Sequence, residues 1–467
     1  MKPGSLRKRR KALFCSLAAL LFMAVAIPAS AAPAESPSLT VDTYVLPLGK
    51  YQLGEQRRNA QTGLARVKAL AVEQGNAQLA RETVGPAARY GKKSTRPSVL
   101  AAPPRTASSF DANAPAALSY PDPARAMTGL ECRTTLGSSS NFFLKSRFAI
   151  CSGASFLQTW LRNGTPVGES VFDVVVVGTI PLNSRQITVT YYVMNQRTTG
   201  TTGAAAMGIT LKASIAASWP SNVAYSYGGT LLPATRTWAS FQTANSVATT
   251  LTAPNGVGSN GPTESIAAVY QPAVSVSAPA PWKLGGSTGG NVFMLAPRWD
   301  KASYLPSATG AAAFSYLGVL YYSKAVGSPE RAVALHIEKA YLTPGQTQPP
   351  SSTKKIPGQS TDEYLTRLYN DNARRDRNRS VAVSTCVKYW GPNYAEGGKQ
   401  CDEFPFASTY QGAAGSEYDV NQLPNNFSAL PLDGTENGNA GTLLSQFYSK
   451  YRVIDGPDDG FLVQITG

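Results

Sequence analysis

Asp402 and Glu403 are adjacent acids set between Cys401 and the aromatic-flanked proline of Phe404-Pro405-Phe406, ahead of the polar run Ala407-Ser408-Thr409-Tyr410-Gln411-Gly412. Adjacent carboxylates are costly to bury together, because like charges repel and lose hydration. Apolar neighbours around such a pair point to a cation or a proton being managed there; an exposed turn is the other reading. Upstream, Arg374, Arg375, Arg377 and Arg379 form a basic cluster that could hold phosphates or could be a solvated helix face. Ser408 is no serine-hydrolase nucleophile, since there is no GxSxG elbow and no histidine near it in sequence. The single histidine, His336, cannot complete a His-rich metal site and reads as a packing or surface residue of a helix.

The 467-residue chain is too long for one ordinary core, so two or more domains are expected. Its formal charge of +15 is uneven: residues 1–31 hold six Lys/Arg and no acid, residues 328–467 net −3, and the middle carries +12. A basic middle attracts polyanions such as DNA or anionic cell-wall polymer, or simply keeps the protein soluble. Residues 1–31 read as a signal peptide: Arg7-Lys8-Arg9-Arg10-Lys11, then an apolar run from Ala12 to Ile27, then Ala29-Ser30-Ala31 as a small-x-small cleavage site. That apolar run is too short for a stable membrane span and none longer follows, so a secreted, extracellular protein is expected, with an uncleaved anchor as the alternative. Cys15 leaves with the signal. Cys132, Cys151, Cys386 and Cys401 remain, an even number in an exported chain, which allows three pairings. The two close pairs sit in separate regions, so Cys132–Cys151 and Cys386–Cys401 are expected.

The elements that must position these residues divide as follows. Residues 32–126 are Ala/Pro-rich, with one possible amphipathic helix between Tyr51 and Val84, and read as a pro-segment or tether. Residues 127–327 change to strand patterns: Val171–Ile180, the alternating Gln186–Asn195 and Tyr316–Tyr322, punctuated by Asn163-Gly164, Asn255-Gly256 and Gly285-Gly286. The expectation is an all-β, sandwich-like middle domain. Its aromatics could bind wall polymer or DNA, or be ordinary sheet face. Residues 328–467 begin with a helix start, Ser328-Pro329-Glu330, running to about Leu342. A flexible connector is expected over 346–359, and Ser360-x-x-Glu363 reads as a capping box opening a second helix whose far end is the arginine cluster.

The string Cys401–Ser408 resembles the signature of the secreted deoxyribonucleases of the NucA/NucB type. The block Glu436-Asn437-Gly438-Asn439-Ala440-Gly441, followed by Phe447-Tyr448 and Arg452-Val453-Ile454-Asp455-Gly456, also resembles the C-terminal half of that family. The resemblance implies a small α+β nuclease domain of ββα-metal-like build over 328–467, in which a strand carries the base and a helix the metal ligands. It implies a carboxylate in place of the usual histidine base, falling on Asp402, with Glu403 orienting a helix or reaching the cation through water. In an extended strand the two would point to opposite faces. Burial beside Phe404 and Phe406 would raise the base's pKa toward neutrality. The resemblance also places Asn437 at the helix entrance as a ligand, aided by Glu436 or Gln446, for an oxygen-loving divalent metal, Mg²⁺ or Mn²⁺.

The function so implied is a secreted, metal-dependent, sequence-nonspecific endodeoxyribonuclease acting on extracellular DNA. A secreted nuclease toxin, and a cell-wall- or DNA-binding protein with an inactive nuclease module, are the alternatives. Removing His336 is expected to leave catalysis within a few-fold, unless its helix docks it against the site.

Overall fold

Period-two patterning builds the middle of the chain. Along the strand that begins at Gln186, Ile187, Val189, Tyr191 and Val193 are buried while the residues between them are half-buried. The computed structural model describes residues 36–58, 60–82, 98–99, 118–136, 142–258 and 262–467, and the elements below lie in the compact unit Ser38–Gly467. The expected signal peptide lies outside the described residues. No helix among the described residues is long and apolar enough to cross a membrane.

Among the described residues, the larger sheet has nine strands. Its centre runs in the antiparallel order β1 (Leu39–Pro47), β2 (Ala149–Arg162), β3 (Thr165–Thr179), β4 (Gln186–Gly200), then Ser246–Thr252. Asn163 and Gly164 both take positive φ, 47° and 79°, which makes the tight turn between β2 and β3. A six-stranded sheet contains Gly208–Trp219, Thr263–Ser277, β5 (Pro297–Ala302) and Ala311–Phe314. The two sheets share one core, with Phe156, Phe172, Val174 and Val189 from the larger and Ile209, Leu211, Ile266 and Trp299 from the smaller. The disulfide Cys132–Cys151 forms as expected, fastening the helix Gly129–Leu136 to β2.

Two described parts of the stretch read as a pro-segment or tether are built into this architecture. Strand β1 pairs with β2 along its whole length, and the helix α1 (Ala60–Glu82) buries Val67 against Leu46 and Leu157. Val72 of the same helix is exposed. Composition misled for these two elements because one strand paired through its backbone and one short helix face need only a few apolar residues.

The C-terminal part is α+β. Strand β6 (Gly318–Ser323) pairs in parallel with the last strand of the chain, Phe461–Thr466, and not with the other middle strands. Around that pair, whose second strand is β9 (Phe461–Thr466), lie α2 (Arg331–Leu342), α3 (Asn372–Trp390), the antiparallel strands β7 (Lys399–Phe404) and β8 (Ser428–Asp433), and α4 (Gly434–Lys450). Leu320, Tyr322, Val333, Ile337, Phe404, Leu443, Phe447 and Phe461 form their core.

Two local readings differ from the structure. The capping box at Ser360 opens no helix, because Leu365 exchanges backbone hydrogen bonds with Phe461 (3.0 and 2.9 Å), so tertiary pairing outweighs the local signal. The helix starts instead at Asn372, capped by Asp371, whose Oδ1 accepts from the Arg374 amide at 2.9 Å. The connector at 346–359 is packed rather than free: Thr347, Lys354 and Ile356 are buried, and Lys354 Nζ donates to Thr347 Oγ1 at 2.9 Å.

A buried ion network joins the C-terminal part to the sheets. Asp459 lies 2.7 Å from Arg147 and 2.8 Å from Arg298, all at 0–1 % side-chain exposure. Asp300 lies 3.0 Å from Arg298 and pairs with Arg452. The two arginines hold the Asp459 carboxyl well below the usual range despite its burial.

Candidate active site

Strand β7 places the two acids. It pairs antiparallel with β8, Asp402 opposite Leu430 and Glu403 opposite Ala429. The chain then turns directly into α4, whose first amides donate to the Asp433 side chain (Thr435 N 2.9 Å, Glu436 N 3.0 Å). The resulting order is strand, strand, helix. The disulfide Cys386–Cys401, also as expected, ties β7 to α3.

A cavity of about 320 Å³ opens over this unit. Asp402 and Glu403 both line it, Arg375, Asp376 and Arg379 of α3 form one wall, and Asn437, Ala440, Gly441 and Leu444 of α4 form another. The last four are spaced as one helix face. Strand alternation does not divide the two acids between inside and outside. Glu403 leans toward α3, 3.9 Å from Arg379 Nη2, while Asp402 leans toward α2, and the cavity spans both sides.

Burial pushes the Glu403 carboxyl up to about 7, and the charge of Asp402 adds to the rise; Arg379 and the Ala407 amide oppose it. The fold favours protonated Glu403, so its contribution to stability is present below pH 4.5 and lost as pH rises through about 7. The loss expected from this shift is about 3 kcal/mol. Glu403→Gln removes the titration. In EDTA, urea unfolding should therefore show the wild-type protein losing stability relative to Glu403→Gln between pH 4.5 and pH 8. A constant difference would contradict the assignment.

His336 is docked against this site, meeting the condition under which its removal would matter. Its Nδ1 lies 2.6 Å from Asp402 Oδ2 and its Nε2 lies 2.7 Å from Ser428 Oγ, with 1 % side-chain exposure. Burial was legible, because Val333, His336, Ile337 and Ala340 share one face of α2. The contact with Asp402 spans 66 residues and left no trace in local pattern. Asp376, which does line the cavity, was also missed by sequence reasoning, hidden within the arginine cluster.

Other expected site residues point elsewhere. Of the four arginines, Arg375 and Arg379 line the cavity. Arg374 donates to Tyr410 O at 2.7 Å and lies against the Tyr410 and Tyr418 rings, and Arg377 forms a two-pronged pair with Glu417 at 2.8 and 2.9 Å. Gln446 accepts from Tyr120 N at 2.6 Å and donates to Leu118 O at 3.0 Å. Nine residues from Asn437 is two and a half turns, which puts Gln446 on the opposite side of α4. Glu436 turns from the cavity to accept from the Ala332 amide, capping α2.

Among the described residues, no three His, Cys, Asp or Glu side chains are grouped to hold a metal. The cavity nevertheless offers two buried carboxylates and the Asn437 amide, a hard oxygen set that fits a cation keeping most of its ligands as water and phosphate oxygen.

No curated protein matches the chain. Residues 351–463 match the family model Deoxyribonuclease NucA/NucB, and so the C-terminal part of the chain, with Asp402, Glu403 and Asn437 around its cavity, is a NucA/NucB deoxyribonuclease domain.

Proposed function

We propose that this chain is a secreted, metal-dependent, sequence-nonspecific endonuclease that hydrolyses phosphodiester bonds of extracellular DNA. The observation that carries the reading is the strand–strand–helix unit that sets Asp402, Glu403 and Asn437 in one cavity beside Arg375 and Arg379. Asp402 takes the proton from the attacking water. Arg375 and Arg379 receive backbone phosphates and hold the strand over the acids. Glu403 and Asn437 hold a divalent cation, Mg²⁺ or Mn²⁺, with the rest of its shell left to water and substrate. Such a cation supplies charge neutralisation at the pentavalent phosphate and the leaving oxygen. Two disulfides fit an oxidising compartment, in keeping with export.

The test is plasmid DNA digested by the purified full chain with Mg²⁺ or Mn²⁺, with excess EDTA, and with EDTA followed by added metal. Nicking and degradation that stop with EDTA and return with metal are expected. Undiminished cleavage in EDTA would remove the cation from the mechanism. Binding of DNA without cleavage under any condition would favour a binding protein with an inactive module.

A further inference from the structure

We propose that His336 is a positioning residue for Asp402. It grips one carboxylate oxygen so that the other is fixed toward the cavity. The inference rests on the reading of Asp402 as the base.

His336 is the one histidine of the chain, and it lies on α2, outside the residues 351–463 that match the nuclease family. It is not itself a base facing substrate. Both ring nitrogens are engaged, Nδ1 with Asp402 and Nε2 with Ser428, and the residue does not line the cavity. A carboxylate only accepts, so Nδ1 carries the proton given to Asp402 Oδ2, while Nε2 meets the Ser428 hydroxyl, a group able to donate or accept. With Oδ2 committed, Oδ1 is the oxygen left for the water. A 2.6 Å bond to an ionised acceptor restrains carboxylate rotation, which is the freedom a base must lose to meet water in line with phosphate.

The imidazole is itself held on all sides. Ser428 is buried and opens β8, paired in register with Phe404. Helix α2 is capped by Glu436 from α4, and Val333, Ile337 and Ala340 seat it in the C-terminal core. Ser428, His336 and Asp402 therefore form a relay of contacts that fastens α2 across both strands of the site. Packing alone would be met by an aliphatic side chain, without the cost of burying a polar ring. Among the described residues, these two bonds are what offset that cost.

The experiment compares three substitutions in the full chain, with Asp402→Asn as reference, on DNA with Mg²⁺ or Mn²⁺. His336→Gln sets its amide toward Ser428 and removes the donor to Asp402. His336→Asn sets an amide nitrogen near the position of Nδ1 and keeps that donor. Ser428→Ala frees the outer edge of the ring. His336→Gln should lower kcat roughly 10- to 100-fold, the usual scale for groups that orient a reacting or ligating side chain, with KM for DNA unchanged. His336→Asn should recover most of that loss, and Ser428→Ala should lose a few-fold in kcat alone. Urea midpoints are measured for each, because a merely structural role predicts activity that follows the folded fraction, with Asn no better than Gln. Folded His336→Gln with wild-type kcat, beside inactive Asp402→Asn, overturns the positioning role and leaves the base reading standing. Active Asp402→Asn overturns the base reading itself. Should His336→Gln not fold, Ser428→Ala decides, and an unchanged kcat in that folded variant overturns the proposal.

Discussion

Asp402→Asn is expected to lower turnover on DNA by about 10²–10⁴-fold, the range for losing a general base, with DNA affinity nearly unchanged. The amide keeps the shape of the carboxylate and still offers an oxygen to the His336 N–H, so the contact at 2.6 Å can survive. What it loses is proton affinity. Arg375 and Arg379, which face the same cavity, are untouched, so binding and its salt dependence should remain. The measurement is single-turnover cleavage of a defined duplex at saturating Mn²⁺, with binding followed separately in EDTA. Glu403→Gln belongs beside it. Loss there that is relieved by higher metal concentration marks a cation ligand, and loss that metal does not relieve marks a proton carrier. If Asp402→Asn turns over normally and Glu403→Gln does not, the roles of the two acids are exchanged.

How much of this site the sequence disclosed follows from the range of each interaction. Asp402 and Glu403 stood out as adjacent acids among apolar neighbours and Asn437 only through the family resemblance, and all three line one cavity. The disulfides were legible because each closes a short loop, with separations of 19 and 15 residues. Gln446 was misplaced because the resemblance carries no helical phase: nine residues from Asn437 puts it at the back of α4, where it holds the backbone of Leu118 and Tyr120. His336 was dismissed because nothing local distinguishes a buried histidine that packs from one that grips a carboxylate. The middle strands were legible by alternation, yet β6 was assigned to the wrong core, since its partner is the last strand of the chain. The same is true of β1, whose pairing with β2 crosses a hundred residues of intervening chain that composition alone cannot fold back.

A chain that begins at Ser328 is expected neither to fold stably nor to cleave DNA, although composition alone suggests a separable module there. The cut removes β6, and with it six paired residues alongside β9. Leu320 and Tyr322, both fully buried in the C-terminal core, go with it, as does the 2.6 Å bond from Tyr322 to the Ala440 carbonyl. Losing one large core side chain costs about 3–5 kcal/mol, and a domain has only about 5–15 kcal/mol in total. Two such losses together with an opened sheet edge exceed that margin. The cut also strips Arg147 and Arg298 from Asp459, whose carboxylate organises the Ile454 and Gly460 amides at 3.1 and 3.0 Å. Starting at Ser351 removes α2 and His336 as well. A point substitution isolates the network from the strand: Asp459→Asn in the full chain takes the paired carboxylate from buried Arg147 and leaves Arg298 with Asp300, at a cost of about 3–5 kcal/mol. Circular dichroism, urea midpoints and DNA cleavage on the Ser328 fragment, a longer fragment from Leu118, and full-length Asp459→Asn check this directly. A Ser328 fragment that unfolds cooperatively and cuts DNA at the full-length rate would show that the nuclease stands alone and that the buried arginines only clasp it to the sheets.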